Sequence, residues 1–177
     1  EIMTVGEGGG VCFKSQVHPE FNHPDVENRE HLLGELIPYG EQRGIRMIPI
    51  FSHPEHYGFI AKKFPRLVPA HAVSHHGAQI RIAVDFFQPK TRRVLQDLAG
   101  ELLARFSPRG LCFWLSENRL HALVPEARRD RSEFLQEAET YCGIVQALRR
   151  QAPELECRIL QTQGSFPENL ALMRALP

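Results

Sequence analysis

Long apolar runs are missing from this sequence: none approaches the roughly 18 residues that a membrane span requires, so an integral membrane chain is not expected. Charge of one sign is missing too. With 21 Lys+Arg against 21 Asp+Glu, no overall field draws the chain to nucleic acid or to an anionic membrane. There is no Cys-x-x-Cys pair. Cys12, Cys112, Cys142 and Cys157 are widely spread, without metal-ligand spacing, and three of them lie in apolar stretches where buried thiols are expected. The glycine run from Gly6 to Gly10 lacks the GxGxxG register of a dinucleotide loop. No Gly-x-Ser-x-Gly elbow marks a serine nucleophile. Short repeats and low-complexity segments are absent as well.

What remains is 177 residues, 42% of them hydrophobic, enough for one domain with an ordinary core. We read residues 1–177 as a single domain. The opening Glu1-Ile2-Met3-Thr4-Val5 reads as the interior of something longer, so a fragment is expected and no compartment is assigned.

Hydrophobic periodicity then gives an order of elements. Glu1–Val5 reads as a strand closed by the glycine loop. Val11 to Asn28 reads as loop. Leu32, Leu33, Leu36 and Ile37 form the stripe of a helix from about Arg29 to Gln42, with Asn28 as N-cap, Pro38 late in its length and Gly44 as its stop. Ile45 to Phe51 is apolar on both faces, as in a buried parallel strand. Tyr57–Phe64 suggests a short helix, and Ile80 to Val84 alternates like a minor strand. Lys90–Phe106 is amphipathic, with Pro89 at its start. Leu111–Leu115 is a further strand, about Ser132 to Gln151 a helix, Cys157–Thr162 the last strand, and a final helix begins near Pro167. Strict alternation of strand and helix predicts parallel βα units, closed either as a doubly wound sheet or as a (β/α) barrel. A whole barrel takes about 250 residues, so four units here would make a partial one.

In both geometries the chemistry gathers at the carboxyl ends of the strands. That focuses attention on Glu7, Ser52 to His56, Ser116 to Asn118, and Thr162 to Ser165. Glu117 follows an apolar strand beside Phe113 and Trp114, where a carboxylic acid can be held protonated and act as a general acid. Gln163 and Ser165 suit a hydroxyl-rich ligand, as any polar loop would, and Trp114 and Tyr57 can stack on a sugar ring, although aromatics beside strands more often serve the core. His53 and His56 bracket Pro54-Glu55, which is not the His-Glu-x-x-His zinc motif. Loop histidines that hydrogen-bond a ligand or the backbone fit better, and the same holds for His18, His71, His75 and His76. No metal and no cofactor is expected.

The run from Glu35 to Pro49 (ELIPYGEQRGIRMIP) resembles the helix-to-strand segment of family 20 glycoside hydrolases, the β-N-acetylhexosaminidases. Pro54 and His56 fall where that family has the Pro and His of its Pro-Gly-His loop. Gln88-Pro89-Lys90-Thr91 is similar to the turn that opens the next long helix, and Leu111 to Glu117 to the strand that ends in the catalytic Asp-Glu pair. The likeness runs in order from Phe13 to Glu117, with Arg158 to Ser165 fitting a later strand more loosely. It implies a TIM-type parallel (β/α) barrel, with about four βα units present, in an α/β protein acting on a carbohydrate substrate. Glu117 then takes the place of the general acid/base, and His56, Ser116, Asn118, Trp114, Gln163 and Glu7 are the substrate-binding candidates. Ser116 stands where the family has an Asp that stabilises the substrate's acetamido group, and Ile50, Ser52 and Glu55 depart from the family pattern along the preceding loop. Losing such preorganised stabilisation costs about 3 kcal/mol, so the substrate-assisted step is not carried over. A second carboxylate would come from Glu7, Glu55, Asp85 or a segment beyond this sequence. A spacing of about 5–5.5 Å from Glu117 would imply retention, and a wider one inversion. Two alternatives stay open: a non-catalytic carbohydrate-binding barrel, and a metal-dependent barrel hydrolase using His53 and His56.

Overall fold

Four strands pair in parallel and in chain order: β1 (Ile2–Val5), β2 (Pro49–Phe51), β3 (Gly110–Trp114) and β4 (Glu156–Leu160). The computed structural model describes residues 2–6, 9–52, 56–67, 84–85, 87–115, 133–160 and 166–175. Between and after the strands run α1 (Val26–Glu41), α2 (Gly58–Lys63), α3 (Pro89–Phe106), α4 (Glu133–Arg149) and α5 (Phe166–Ala175).

The pairing register decides the closure. Phe51 lies beside Phe113, and Phe113 beside Ile159; one residue earlier, Ile50 lies beside Cys112 and Cys112 beside Arg158. Because side chains alternate with period two, the first set shares one face and the second set the other. The first face carries the main core: Val5, Phe51, Leu111 and Phe113 pack with Leu33 of α1, Ile60 of α2, Val94, Leu98 and Leu102 of α3, and Tyr141 and Val145 of α4. Helix α5 packs on α4. The second face carries Ile48, Ile50 and Cys112, with Trp114 and Leu160 against them and, among the described residues, no helical side chain. A doubly wound sheet reverses its strand order and puts helices on both faces. Sequential order with helices on one face is barrel winding, and four βα units make a partial (β/α) barrel.

Several elements depart from the sequence expectation, each for a local reason. Helix α1 begins at Val26, not near Arg29, and Asn28 lies inside its first turn. The residue before the helix is Asp25, whose Oδ1 accepts a 2.6 Å bond from Asn28 Nδ2. Pro38 sits within α1 and cannot donate to Gly34; Gly34 is exposed, so water can serve its carbonyl. The helix stops at Glu41, and the chain turns through Gly44 (φ +71°), where Ile45 N donates to Gly40 O at 2.9 Å. That turn takes Ile45 out of the sheet and leaves it 56% exposed, so β2 is shorter than the apolar run suggested. Helix α3 starts at Pro89 and ends on Ser107, a left-handed cap (φ 46°) whose N–H reaches Leu103 O. The minor strand expected at Ile80 to Val84 lies outside the described residues except for Val84, which is buried.

The segment after β1 was expected to be plain loop, yet it is core. Val11, Phe13 and Phe21 are buried, and burial of such side chains is worth about 1.5–3 kcal/mol each. Carboxylates strap it down: Lys14 N donates to Glu30 Oε2 (2.7 Å), and Gln16 N and Val17 N donate to Glu101 Oε1 (2.6 and 3.1 Å). Val11 bridges Val5 antiparallel, and Cys12 N donates to Thr4 O at 3.0 Å, so the segment also occupies the outer edge of β1 there.

Candidate functional site

The ends of β1 and β2 meet in one cluster. Ser52 continues the parallel ladder past β2, its N–H donating to Val5 O at 2.9 Å, and it is fully buried. Its Oγ lies 2.9 Å from Nδ1 of the half-buried His56. Tyr57 follows, buried, with its hydroxyl 3.3 Å from that of Tyr141 on α4. The Tyr141 ring stacks on Phe113 of β3 at 4.4 Å, and Phe113 meets Phe51 of β2 at 5.3 Å. An aromatic column rooted in the sheet therefore fixes the residue next to His56.

Gly6 closes the cluster from the β1 side. Its φ is +111°, a conformation that side-chain-bearing residues rarely adopt. A Cβ there would stand 2.7 Å from Ser52 Cβ and 3.5 Å from His56 Cβ. The glycine turn folds on itself, with Gly6 N donating to Gly10 O and Gly9 N to Gly6 O, both at 3.2 Å.

Of the residues named from sequence as catalytic or substrate-binding, His56 and Trp114 fall within the described regions. His56 sits in this strand-end cluster. Trp114 ends β3 on the face away from the helices, half-buried against Ile50 and Cys112, so part of its ring serves packing. Glu117, Ser116, Asn118, Gln163 and Glu7 lie outside the described residues, as do His53 and Glu55. Asp85, considered as a second carboxylate, is used otherwise. Its Oδ1 accepts from Phe87 N and its Oδ2 from Gln88 Nε2, both at 3.0 Å, which organises the start of α3. His18 is held on the outer side of α3, 3.3 Å from Asp97 and stacked on Phe21. Among the described residues, no group of three or more His, Cys, Asp or Glu is placed to hold a metal ion.

The partners of His56 are what sequence reasoning missed. Ser52 was noticed for its departure from the family pattern, whereas its contact with His56 Nδ1 is seen only in the structure. All four cysteines are free thiols, Cys12 and Cys112 buried and Cys142 and Cys157 partly buried. Burial, helped by the neighbouring Cys142, pushes the Cys157 thiol up to about 12, and burial also raises Cys142. Neither is a thiolate nucleophile near neutrality.

Two clefts open elsewhere. One, of about 630 Å³, lies between α1 and the end of α3, where its charges pair with one another: Lys14 with Glu27 (2.6 Å), Arg105 with Glu30, and His31 with Glu35 (3.2 Å). The other, of about 600 Å³, lies at the amino ends of β3 and β4 beside Arg46, Arg109 and Glu156. There Arg46 pairs with Glu156 at 2.6 Å and Arg109 with Glu41 at 3.1 Å. In both, the charged groups already satisfy one another, and barrel chemistry belongs to the opposite rim.

No family model matches the chain, and no curated protein matches it. Among solved structures it is similar to the glycoside hydrolase domain of PelA from Pseudomonas aeruginosa, with a TM-score of 0.50 and 17% identity over 81% of this chain and 51% of that one. A variant of the same domain aligns with a TM-score of 0.47 and 17% identity, over 72% of this chain and 48% of that one. At this identity the likeness is one of fold, and the chain spans about half the length of the domain it matches.

Proposed function

We propose that residues 1–177 form one catalytic-type domain that acts on O-glycosidic bonds of a carbohydrate, with Glu117 as general acid/base. The observation that carries this reading is the winding. Four parallel strands in chain order bring the ends of β1, β2 and β3 to one rim, and Glu117 follows β3 in the chain. Proximity to the fold of a glycoside hydrolase domain supports it. Around the rim the chemistry is of the kind that reads hydroxyl groups: a serine-held histidine, a glycine turn and the edge of Trp114. Ser116, Asn118, Gln163 and Glu7 complete the proposed contacts. The finer affiliation, to family 20, rests on the ordered likeness from Phe13 to Glu117. General acid–base catalysis contributes about 10²–10⁴-fold. Glu117→Gln should therefore lower the release of reducing ends from a panel of polysaccharides by at least a hundredfold, with the circular dichroism spectrum unchanged. Equal rates would remove Glu117 from the mechanism.

A second reading, a carbohydrate-binding barrel without catalysis, is favoured by two particulars. Ser116 replaces an acidic residue of the family, and Asp85 is committed to the start of α3. Binding on a glycan array without release of product from the same glycans would select it.

A further inference from the structure

We propose that the flank of α1 turned away from α3 is a docking surface for an acidic amphipathic helix, whose apolar stripe meets Leu32, Leu36 and Tyr39 and whose carboxylates meet Arg29 and Arg43. The surface belongs to the helical layer, so it does not rest on the function proposed above.

Three observations converge. First, α1 has one covered flank and one open one. Leu33, Ile37 and Gly40 are its buried positions and mark the side toward the core. At about 100° per residue, Glu30, Gly34 and Pro38 lie to one side of that line, where they face Arg105 and Phe106 of α3 across the cleft. Leu32, Leu36 and Tyr39 lie about as far to the other side, and there Leu32 is 51% and Tyr39 56% exposed. Second, a closed ring of helices covers both flanks of each member, and the barrel-type domain of similar fold is about twice as long as this chain. Third, the open stripe is bounded by two cations without carboxylates. Arg29 Nη1 donates to Cys12 Sγ at 3.5 Å, while its Nε is buried and has no acceptor. Arg43 lies 3.6 Å over the Tyr39 ring and donates to Tyr39 O at 3.3 Å. On the α3 side, by contrast, Arg105 has Glu30 and Lys14 has Glu27.

Charge selects the occupant. Two copies meeting stripe to stripe, antiparallel about Leu36, would set Arg29 of one against Arg43 of the other, and like charges brought together at an interface are costly. A small anion would answer Arg29 and leave the apolar stripe in water. A helix with an apolar face answers the i, i+4, i+7 spacing of Leu32, Leu36 and Tyr39. Carboxylates at the ends of that face answer both guanidinium groups, and the buried Nε of Arg29 gains the acceptor it lacks.

The test titrates the full chain with two synthetic peptides as long as α1, both helical by circular dichroism. One carries leucine along one face and glutamate at both ends of that face; its twin has lysine in place of the glutamates. Backbone nitrogen–proton spectra should shift at Arg29, Leu32, Leu36 and Tyr39, and the glutamate peptide should bind at least about tenfold more tightly than the twin. Arg29→Glu should remove most of that preference. Tyr39→Glu, at an exposed position that the fold tolerates, should weaken both peptides by about tenfold or more. Equal binding of the two peptides, no binding of either, or shifts gathered at Glu30 and Gly34 in the α3 cleft would overturn the proposal. So would self-association of the wild type, measured by sedimentation, that Tyr39→Glu abolishes, since a second copy would then be the occupant.

Discussion

The two ends of the sheet are built from different chemistry. At the amino end, Glu156 lies between two guanidinium groups, Arg46 at 2.6 Å and Arg158 at 2.7 Å, and Arg109 reaches Glu41. Gly110 leaves room for this, since a Cβ there would stand 3.1 Å from Glu156 Cβ. At the carboxyl end the described groups include Gly6, Ser52, His56 and Tyr57, with Ser52 Oγ on His56 Nδ1 and the Tyr57 hydroxyl near that of Tyr141. The amino end ties β4 to the segment before β2 by charge, at partly exposed positions where each ion pair is worth little. The carboxyl end is held by close packing and buried hydrogen bonds, where a small change is expensive. Barrels keep stability and function at opposite rims for this reason: the rim that does chemistry needs groups fixed by the scaffold and unsatisfied by one another.

The sharpest way to break the comparison is at Gly6. Gly6→Ala places a Cβ against Ser52 at a positive φ, a strain of about 1–3 kcal/mol, so the melting temperature should fall clearly and the His56 ring signals should shift. A variant as stable as the wild type would show that the fit between the two loops is loose. Next comes Tyr57→Phe, which removes one hydroxyl from the buried Tyr57–Tyr141 pair; a loss of about 1 kcal/mol in urea unfolding is expected, and no loss would mean that water serves Tyr141 equally well. The smallest effect is predicted at the amino end. The hydrogen bond from Arg158 holds Glu156 below the usual carboxylate value, although desolvation works against it. A lowered folded-state pKa adds stability above the ordinary carboxylate range, and that gain is lost as pH falls through the lowered value. Wild type and Glu156→Gln should therefore differ slightly at neutral pH and low salt, and converge both in acid and in high salt. Activity on any glycan should be untouched by Glu156→Gln and impaired by Gly6→Ala.

Much of the scaffold was legible in the sequence because it rests on local periodicity. The stripe of Val94, Leu95, Leu98 and Leu102 behind Pro89 placed α3 to within a residue, and the apolar run from Leu111 placed β3. Alternation of strand and helix gave the winding, though choosing between two closures needed the strand order. What escaped depends on contacts distant in sequence. Val11, Phe13 and Phe21 read as loop because they follow no period; Phe13 packs on Phe106 of α3 and Phe21 on Phe59 of α2 and on Phe64, all of which arrive later in the chain. Ile45 read as strand because its apolar neighbours hid a turn set by Gly40 and Gly44. In the candidate site, His56 was found from its place after a strand. Ser52, a single buried hydroxyl, carries no motif, and its meaning appears only when the chain brings it back to His56 beside Gly6.

The central claim is that ligand is met at the carboxyl end of the sheet. Backbone nitrogen–proton spectra recorded as an N-acetylglucosamine hexamer is added test this directly. The account predicts shifts concentrated at Gly6, Ser52, His56 and Trp114, with Arg46, Arg109 and Glu156 unmoved. Shifts gathered instead at Arg46, Arg109 and Glu156, around the cleft at the amino end, would contradict it.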